Sequence, residues 1–365
     1  IMKKIDYYIL REFLSSFLVI SLFFTLISLI VDVFENLNRF IDNSVSFEIL
    51  LKYYQTSLPS MISVTIPVSC LVSSVFTYGM MIQKKEWLVF KSSGLSLYRL
   101  SFPVLLLGLF FSIGSFYFDN TVVIKNNRIK NDIKKTYMSK NKNKSTSKSI
   151  FENVYFQKNQ KDLIAIEKFN SNNNVLVNLN YLEINNGNLN RRIDSKKAEW
   201  NQESQKWNLK KFTIRNFDSF GMENDFIQSN NDSLIYLDFT PQDILKIGKS
   251  SEEVSYTELK EQIISLKNNG INTLKWEVDL NYKIAYSLIS LIVIFCGIPL
   301  SVFRSNTSLA FGGGLSIATI FSYVIILKFG QSLAYGGILS PLIGAWLSNI
   351  VFISIGIYLM LNARK

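Results

Sequence analysis

Six long apolar segments constrain the fold of this chain of 365 residues more than any other feature. A bilayer core about 30 Å thick needs about 20 apolar residues in a helix, and each segment has that length. Each is also too apolar on all sides to be a surface helix of a soluble protein. They cover residues 13–34, 60–82, 100–119, 280–303, 309–333 and 340–361. The sequence therefore predicts an α-helical membrane protein with six transmembrane helices, three on each side of a long polar insertion.

The basic residues of the short connections predict the orientation in the membrane. In multi-pass proteins, Lys and Arg of short loops accumulate on the cytoplasmic side. Ten such residues lie on one side of the six segments, whereas the opposite short connections hold only Arg39 and Lys52. The ten are Lys3, Lys4, Arg11, Lys84, Lys85, Lys91, Arg99, Arg304, Arg364 and Lys365. Both termini are therefore predicted to be cytoplasmic, and residues 120–279 are predicted to lie outside.

The composition excludes several kinds of chemistry. The chain has no His, which removes His-based acid–base catalysis, the commonest zinc ligand and any Ser-His-Asp triad. Cys70 and Cys296 lie in apolar segments without CxxC spacing, as packing residues do. The net charge of +11 does not indicate nucleic-acid binding, because acidic residues accompany the basic ones in the insertion and the other basic residues lie at helix ends. We expect a non-catalytic protein without metal, cofactor or nucleic-acid partner.

The insertion contains patterns of both helix and strand. Residues 125–148 are rich in Lys, Asn and Ser and are predicted to form a helical extension or a mobile linker. Alternating apolar and polar residues then predict the strands of an antiparallel sandwich or barrel-like sheet with one buried face. These strands cover residues 150–157, 163–169, 175–184, 198–201 and 207–217. Residues 241–270 are predicted to be helical. The predicted domains are residues 1–120, 121–279 and 280–365.

The connection between the second and third segments is the first candidate functional element. Trp87, Leu88 and Phe90 recur there at roughly helical spacing among charged residues, and Gly94 can end a helix. This pattern predicts a short amphipathic helix parallel to the membrane. Two interpretations remain open: the helix rests on lipid, or it is a coupling helix that inserts into a cytoplasmic partner. The candidate coupling residues are Glu86, Trp87, Phe90, Lys91 and Gly94.

Ionisable residues within or near the apolar segments are the second candidate. Asp32, Lys283 and Lys328 are costly to bury in hydrocarbon, so they are expected to face a cavity or a partner. The two lysines can instead reach the interface along their long side chains. The glycine run 312–314 is predicted to allow close approach of helices.

Several local patterns make the chain resemble the LptF/LptG permease family. The stretch 86–103 is similar to the family's coupling segment. Pro59 and Pro67 look like the family's two-proline second helix, and residues 330–346 look like its fifth-to-sixth helix hairpin. Residues 32–39 resemble the G-type subunit more than the F-type. The order of these patterns, with a β domain after the third helix, extends the resemblance over essentially the whole chain.

The resemblance implies a permease subunit of an ABC-type lipopolysaccharide exporter in the bacterial inner membrane, with an inserted periplasmic antiparallel β-jellyroll-like domain. Its expected partners are a cytoplasmic LptB-like ATPase dimer, a paralogous LptF-like permease, an LptC-like single-helix protein and an LptA-like periplasmic bridge. Lipopolysaccharide would be extracted from the outer leaflet and passed to the bridge, with ATP hydrolysed on the partner.

The resemblance also implies where substrate is contacted. Family members often place basic residues near the outer end of the first helix, whereas Asp32 lies there in this chain. The candidate contacts are Arg39, Lys52, Lys328, Leu176, Leu179, Phe212 and Ile214. Two other functions remain as alternatives. A secondary lipid transporter predicts an internal repeat and broken helices at mid-membrane depth, and a non-transporting scaffold or receptor would need no coupling helix.

Overall fold

The structure, a computed structural model, describes residues 4–138, 150–158, 162–185, 188–218, 221–247, 251–268, 272–303 and 309–362. Contacts divide the chain into two compact units. The helical unit comprises Ile1–Ile133 and Glu277–Lys365, and the β unit comprises Lys134–Trp276. The predicted boundaries near residues 120 and 280 differ from these because helical segments continue across both predicted positions.

The described residues form the helices α1 (Lys4–Asp42), α2 (Phe47–Gln83), α3 (Glu86–Ser92), α4 (Leu97–Phe118), α5 (Ile124–Tyr137), α6 (Pro241–Ile247), α7 (Tyr256–Asn268), α8 (Leu274–Ser287), α9 (Ile289–Phe303), α10 (Leu309–Tyr335) and α11 (Pro341–Asn362). A π-helical turn, Asp119–Val123, joins α4 to α5. Helix α5 covers the first part of the predicted polar extension, whose residues 139–148 lie outside the described part. Helices α6 and α7 lie in the stretch that was predicted to be helical.

The predicted membrane-helix architecture is confirmed. In the described part of the chain, five helices are each long and apolar enough to cross a membrane, where α4 and α5 count as one continuous helix. The bent pair α8 and α9 makes a sixth span if the two helices cross the membrane together. The predicted span over residues 280–303 corresponds to the bent pair α8 and α9, between which the chain bends by 45°. Hydropathy does not detect such a bend.

Side chains of neighbouring helices stabilise this bend. A bend frees backbone groups that have no water to bind in a bilayer, so other groups must satisfy them. The carbonyl of Ala285 accepts a hydrogen bond from the Asn349 side chain at 3.1 Å, and the amide of Leu291 donates to Ser112 Oγ at 3.1 Å. Asn349 is fully buried and also accepts from the Tyr323 hydroxyl. Helices α4, α10 and α11 therefore hold the bend in place.

Small residues set the closest helix contacts. A Cβ on Gly344 of α11 would lie 2.7 Å from the carbonyl oxygen of Gly330 on α10, and against the Ala334 methyl. These two backbones consequently touch only because neither residue carries a side chain. In the predicted glycine run, a Cβ on Gly312 would lie 3.1 Å from Val75, whereas one on Gly313 would meet nothing within 4 Å. The run therefore mediates close packing at Gly312.

The β unit contains one antiparallel sheet, which confirms the predicted β domain. Its strands are β1 (Ile150–Lys158), β2 (Asp162–Asn170), β3 (Val175–Asn185), β4 (Asn188–Asn201), β5 (Lys206–Phe217), β6 (Glu223–Ser229) and β7 (Ser233–Ile235). Strands β1 to β6 pair in chain order, and β7 pairs with β5. The described strands form a meander in a single sheet. The predicted strand at 198–201 is the end of the longer β4, and β6 and β7 were not predicted.

One face of this sheet covers an apolar core. Phe239, from the segment before α6, lies 1% exposed in the middle of that core. Its ring lies 5.2 Å from the Trp207 ring and 6.3 Å from the Tyr181 ring, centroid to centroid. The Trp207 indole donates to the Phe239 carbonyl oxygen at 2.9 Å. Phe239 therefore fills the inner face of the sheet.

Along four neighbouring strands, the alternation of inward-facing and outward-facing residues shifts by one residue at the same height of the sheet. On each of four neighbouring strands, two successive residues face outward between two buried ones. The buried pairs are Ile166 and Phe169, Leu176 and Leu179, Ser195 and Ala198, and Leu209 and Phe212. We call the row formed by Glu167, Asn178, Lys196 and Lys211 the offset row. Asn178 and Lys211 have positive φ values of 52° and 50°, which side-chain-bearing residues rarely adopt.

Candidate functional site

The predicted short helix in the connection between α2 and α4 is present as α3. Lys85 directly before it has φ 62°, and Gly94 directly after it has φ 80°. Left-handed backbone at both ends lets the chain turn before and after α3, and glycine suits the second position because it has no Cβ. The local sequence therefore sets α3 off as a separate helix of seven residues.

Helix α3 divides its apolar residues between two faces. Trp87 and Phe90 are half-buried and pack against the core of the helical unit. Leu88 and Val89 are 66% and 63% exposed, and Lys91 is exposed beside them. The aromatic residues predicted for coupling thus anchor the helix. Leu88 and Val89 form the apolar surface that a partner could meet. The sequence analysis did not single out Val89, because the sequence of so short a helix does not reveal which face packs against the other helices.

Polar contacts tie α3 and the beginning of α4 to the beginning of α1. The Tyr8 hydroxyl donates to Glu86 Oε2 at 2.9 Å. Close by, both Nη atoms of Arg99 donate to the two carboxylate oxygens of Asp6 at 2.8 Å, a paired geometry that fixes orientation as well as distance. Tyr8 and Asp6 were not predicted as site residues. The sequence near Tyr8 and Asp6 did not indicate these contacts, because their partners lie about eighty to ninety residues away along the chain.

A second polar group joins α8 and α10. Lys328 donates to the Gln331 side-chain oxygen at 3.2 Å, and its ammonium lies 5.1 Å from the centre of the Tyr282 ring. Gln331 donates to Asp279 at 3.3 Å and to the Tyr335 hydroxyl at 2.8 Å, and Tyr335 donates to Asp279. Asp279 and Gln331 are buried. Lys328 therefore lies at the edge of a satisfied hydrogen-bond network and remains accessible.

A third polar contact lies at the π-helical turn. Ser63 of α2 donates to the Asp119 carboxylate at 2.5 Å, and the charge of Lys283 on α8 also acts on that carboxylate. A π-helical turn often marks a functional position in a helix. Lys283 thus helps to neutralise a carboxylate on the helix that leads into the insertion.

The other predicted basic contacts lie apart from this group. Arg39 donates to the Asn36 side chain at 3.5 Å, and Asn36 donates to the Asp32 carbonyl oxygen at 2.9 Å, so these three form a local chain on α1. Lys52 on α2 is exposed. Arg39 on α1, Lys52 on α2 and Lys328 on α10 therefore belong to three different helices.

The four apolar candidates of the insertion do lie together. Leu176, Leu179, Phe212 and Ile214 belong to one buried cluster on the inner face of the sheet. All four are at most 6% exposed. Because Phe239 belongs to the same cluster, these residues form a filled core in this structure.

Charged residues are also buried in the β unit. The Lys158 ammonium lies 3.5 Å from carboxylate oxygens of both Asp238 and Asp243. The Tyr181 hydroxyl donates to Asp162 Oδ2 at 2.8 Å. Burial raises the pKa of the Asp162 carboxyl, because it disfavours the charged form. Burial and the hydrogen bond to Asp162 raise the pKa of Tyr181.

A model of one protein family matches this chain. The family is described as lipopolysaccharide export system permease LptF/LptG, and the match covers residues 7–362. No curated protein matches the chain significantly. The family match begins in α1 and ends with α11, so it includes both the helical unit and the β unit.

Proposed function

Because the chain belongs to the LptF/LptG family of lipopolysaccharide export permeases, we propose that it is the permease subunit of an ABC-type exporter. It is a multi-pass inner-membrane protein of a transport family. In the proposed mechanism it extracts lipopolysaccharide from the outer leaflet of the inner membrane and passes it to a periplasmic bridge. The observation that carries this proposal is a family match over both units, since lipid extraction and lipid transfer need a membrane part and a water-exposed part.

The energy for export comes from a separate cytoplasmic ATPase dimer of the LptB type. Helix α3 is the proposed docking element, and the α3 end of the helical unit is cytoplasmic. In support, Trp87 and Phe90 pack against the core of the helical unit and anchor α3 there. Leu88, Val89 and Lys91 are exposed, so a partner can contact them. A rigid anchor is what a coupling helix needs, because a force applied to a loose helix would not reach the transmembrane spans.

The remaining partners follow from the family. A paralogous permease completes the membrane cavity, an LptC-like single-helix protein joins it, and an LptA-like bridge receives the lipid. The β unit is periplasmic in this proposal. Arg39, Lys52 and Lys328 are exposed cations that can approach lipid phosphates. Gln331 and Tyr282 contact the Lys328 ammonium.

The apolar face of the sheet is the proposed path for acyl chains. Leu176, Leu179, Phe212 and Ile214 supply its surface, and Phe239 has to move aside before a chain can enter. Photo-crosslinkers at Leu176 or Ile214, which belong to the inner cluster and do not line the outer recess, should then capture lipid only when ATP is hydrolysed. Equal capture with and without ATP would contradict a conduit.

The decisive experiment measures lipopolysaccharide transfer from proteoliposomes that contain the assembled complex, together with its ATPase rate. Leu88→Glu with Val89→Glu should abolish ATP-driven transfer, because two carboxylates would have to be desolvated in the ATPase groove. Met222→Glu is the control, because it places a carboxylate at an exposed apolar position of the β unit, outside α3, and it should transfer lipid at the wild-type rate. Normal transfer by the double variant would remove the coupling assignment.

One observation favours a secondary transporter as the second candidate. The 45° bend between α8 and α9 resembles the interrupted helices of such transporters. In those proteins the freed backbone groups bind ions or substrate, whereas here Asn349 and Ser112 bind the freed carbonyl of Ala285 and the amide of Leu291. Transfer driven by an ion gradient in the absence of any ATPase would support this alternative.

A further inference from the structure

The outer face of the sheet in the β unit contains a polar recess of about 680 Å³. This volume lies within the range of ligand sites, roughly 300–1,000 Å³. Ile166, Leu179 and Phe212 of the buried cluster also line it, at the level where the offset row interrupts the alternation. The polar and charged side chains that line the recess lie on the outer face. One row of residues crosses six strands in direct register along it: Tyr155, Ala165, Asn180, Asp194, Thr213 and Gln228. Ala165 is the small residue that leaves room in this row.

The offset row forms the other side of the recess. Glu167, Asn178, Lys196 and Lys211 all line it. Pairing between Ser195 and Phe212 and between Lys197 and Lys210 places Lys196 directly opposite Lys211. Like charges in directly opposed positions of a sheet repel each other. Lys211 is moreover held at φ 50°, and unfavourable backbone of this kind concentrates at binding sites.

The next pair of lysines shows what a neutralised arrangement looks like. Lys197 and Lys210, also opposite each other, both bind the Glu199 carboxylate, at 2.7 and 3.0 Å. Among the described residues, no carboxylate lies within ion-pair distance of Lys196 or Lys211. Lys196 and Lys211 lie in opposed positions on neighbouring strands and both line the recess, so both ammonium groups can approach one anion there.

The acidic residues of the recess are already engaged. Arg192 Nε donates to the Asp194 carboxylate at 2.8 Å, and Glu167 accepts a hydrogen bond from the Asn178 amide. The Asn178 amide is neutral and does not offset the charge of Glu167, but Lys168 Nζ lies 3.9 Å from Glu167 Oε1. Each carboxylate of the recess therefore has a cation other than Lys196 or Lys211 beside it, and these two lysines supply the excess positive charge, in a setting rich in amide and hydroxyl groups.

The other side chains of the recess are of the types that bind sugars. Asn180, Thr213 and Gln228 offer donors and acceptors for hydroxyl groups. Tyr155, 68% exposed, presents an aromatic face on which the C–H face of a sugar ring can lie. Lysines are the usual partners of phosphate and carboxylate groups, which they meet as point charges.

From this juxtaposition we propose that the recess binds an anionic saccharide, a sugar that carries a phosphate or carboxylate group between Lys196 and Lys211. Such chemistry is shared by the saccharide headgroup of an exported lipid and by a free acidic oligosaccharide. The proposal goes beyond the proposed export function, and it needs neither ATP nor the apolar path along the inner face.

Calorimetric titration of the full-length protein in detergent tests the recess directly. The probes are a deacylated, phosphorylated lipopolysaccharide oligosaccharide and the same oligosaccharide after phosphatase treatment. The phosphorylated probe should bind, and the dephosphorylated one should bind about tenfold or more weakly, since each hydrogen bond to a charged group contributes about 1.5–3 kcal/mol. Absence of binding by the phosphorylated probe, or equal affinity for both probes, would overturn the proposal.

Matched variants separate the recess from general surface charge. Lys196→Gln with Lys211→Gln should reduce affinity for the phosphorylated probe about tenfold or more. Lys197→Gln with Lys210→Gln removes the same charge from the adjacent row and should change affinity less than about twofold, a loss typical of surface charges. Equal losses in the two double variants would show non-specific attraction and refute the site. Thermal unfolding checks that each variant is folded.

Competition then identifies the source of the saccharide. If intact lipopolysaccharide displaces the bound oligosaccharide and Lys196→Gln/Lys211→Gln weakens both, the ligand is the lipid headgroup. If the oligosaccharide binds but intact lipid does not displace it, the ligand is a free acidic saccharide. Binding of intact lipid alone would mean capture through acyl chains and would overturn the proposal. Loss of saccharide binding with ATP-driven transfer intact would leave the export function standing.

Discussion

The Tyr8–Glu86 contact gives Glu86 two separable roles. Within the chain, Glu86 accepts a hydrogen bond from Tyr8; towards an ATPase, its second oxygen could accept another. Glu86→Ala should impair ATP-driven lipid release about tenfold or more if a charged hydrogen bond to the partner is lost. Tyr8→Phe removes only the internal bond and should cost much less. Transfer and ATPase rates of both variants in proteoliposomes measure the difference, and equal defects would assign Glu86 a purely internal role.

Asp162 predicts a pH dependence of local stability in the β unit. Its pKa is raised by burial, so the folded state binds this proton more tightly than the unfolded state does. Its contribution to the free energy of unfolding is therefore fully present below the usual Asp pKa and is lost as the pH rises through the raised value. Asp162→Asn keeps an acceptor for Tyr181 and should abolish this decline.

Hydrogen exchange of the full-length protein measures that effect. Protection of β2 and β3 amides, corrected for intrinsic exchange, should fall less with rising pH in Asp162→Asn than in the wild type. The exposed Asp225 is the control, and Asp225→Asn should follow the wild-type profile. An unchanged profile in Asp162→Asn would show that Asp162 titrates normally.

At the scale of elements, the contact of α10 with α11 depends on glycine. A methyl group at Gly344 would collide with the Gly330 carbonyl and Ala334, so Gly344→Ala should destabilise the protein by about 1–3 kcal/mol, the usual cost of overpacking. Gly313→Ala adds the same methyl where nothing lies within 4 Å and should be neutral or stabilising. Thermal unfolding in detergent compares the two, and equal melting temperatures would contradict the packing.

The sequence predicted most elements but not the details that tertiary contacts decide. Length and hydropathy are local properties, so the spans and several strands could be predicted. Leu176 and Leu179 are three residues apart, a spacing that ordinary alternation would place on opposite faces of a strand. Both are buried because the offset row shifts the alternation, and that shift depends on neighbouring strands. The bend after α8 likewise depends on Asn349 and Ser112, far away in sequence.

At the scale of the whole molecule, the orientation can be tested on the otherwise native chain. Cys70 and Cys296 are buried, so introduced cysteines should dominate labelling by a membrane-impermeant thiol reagent. Asn188→Cys should react in intact cells from the periplasmic side, and Ser96→Cys should react only after the inner membrane is opened. Both residues are exposed, so burial does not explain a difference. Labelling of both from one side would contradict the proposed topology.

The position of Phe239 gives the β unit a built-in optical signal. Trp207 is buried and hydrogen-bonded to the Phe239 carbonyl, so its emission should be that of a shielded indole. Any acyl chain that enters has to displace Phe239, which would change the surroundings of that indole. Lipid loading should therefore shift the Trp207 contribution to the fluorescence of the unlabelled protein. Trp207→Phe should reduce the shift to the part that comes from Trp200, whose ring centroid lies 5.0 Å from that of Trp207. Occupancy could then be followed in real time, turnover by turnover, without attaching a dye.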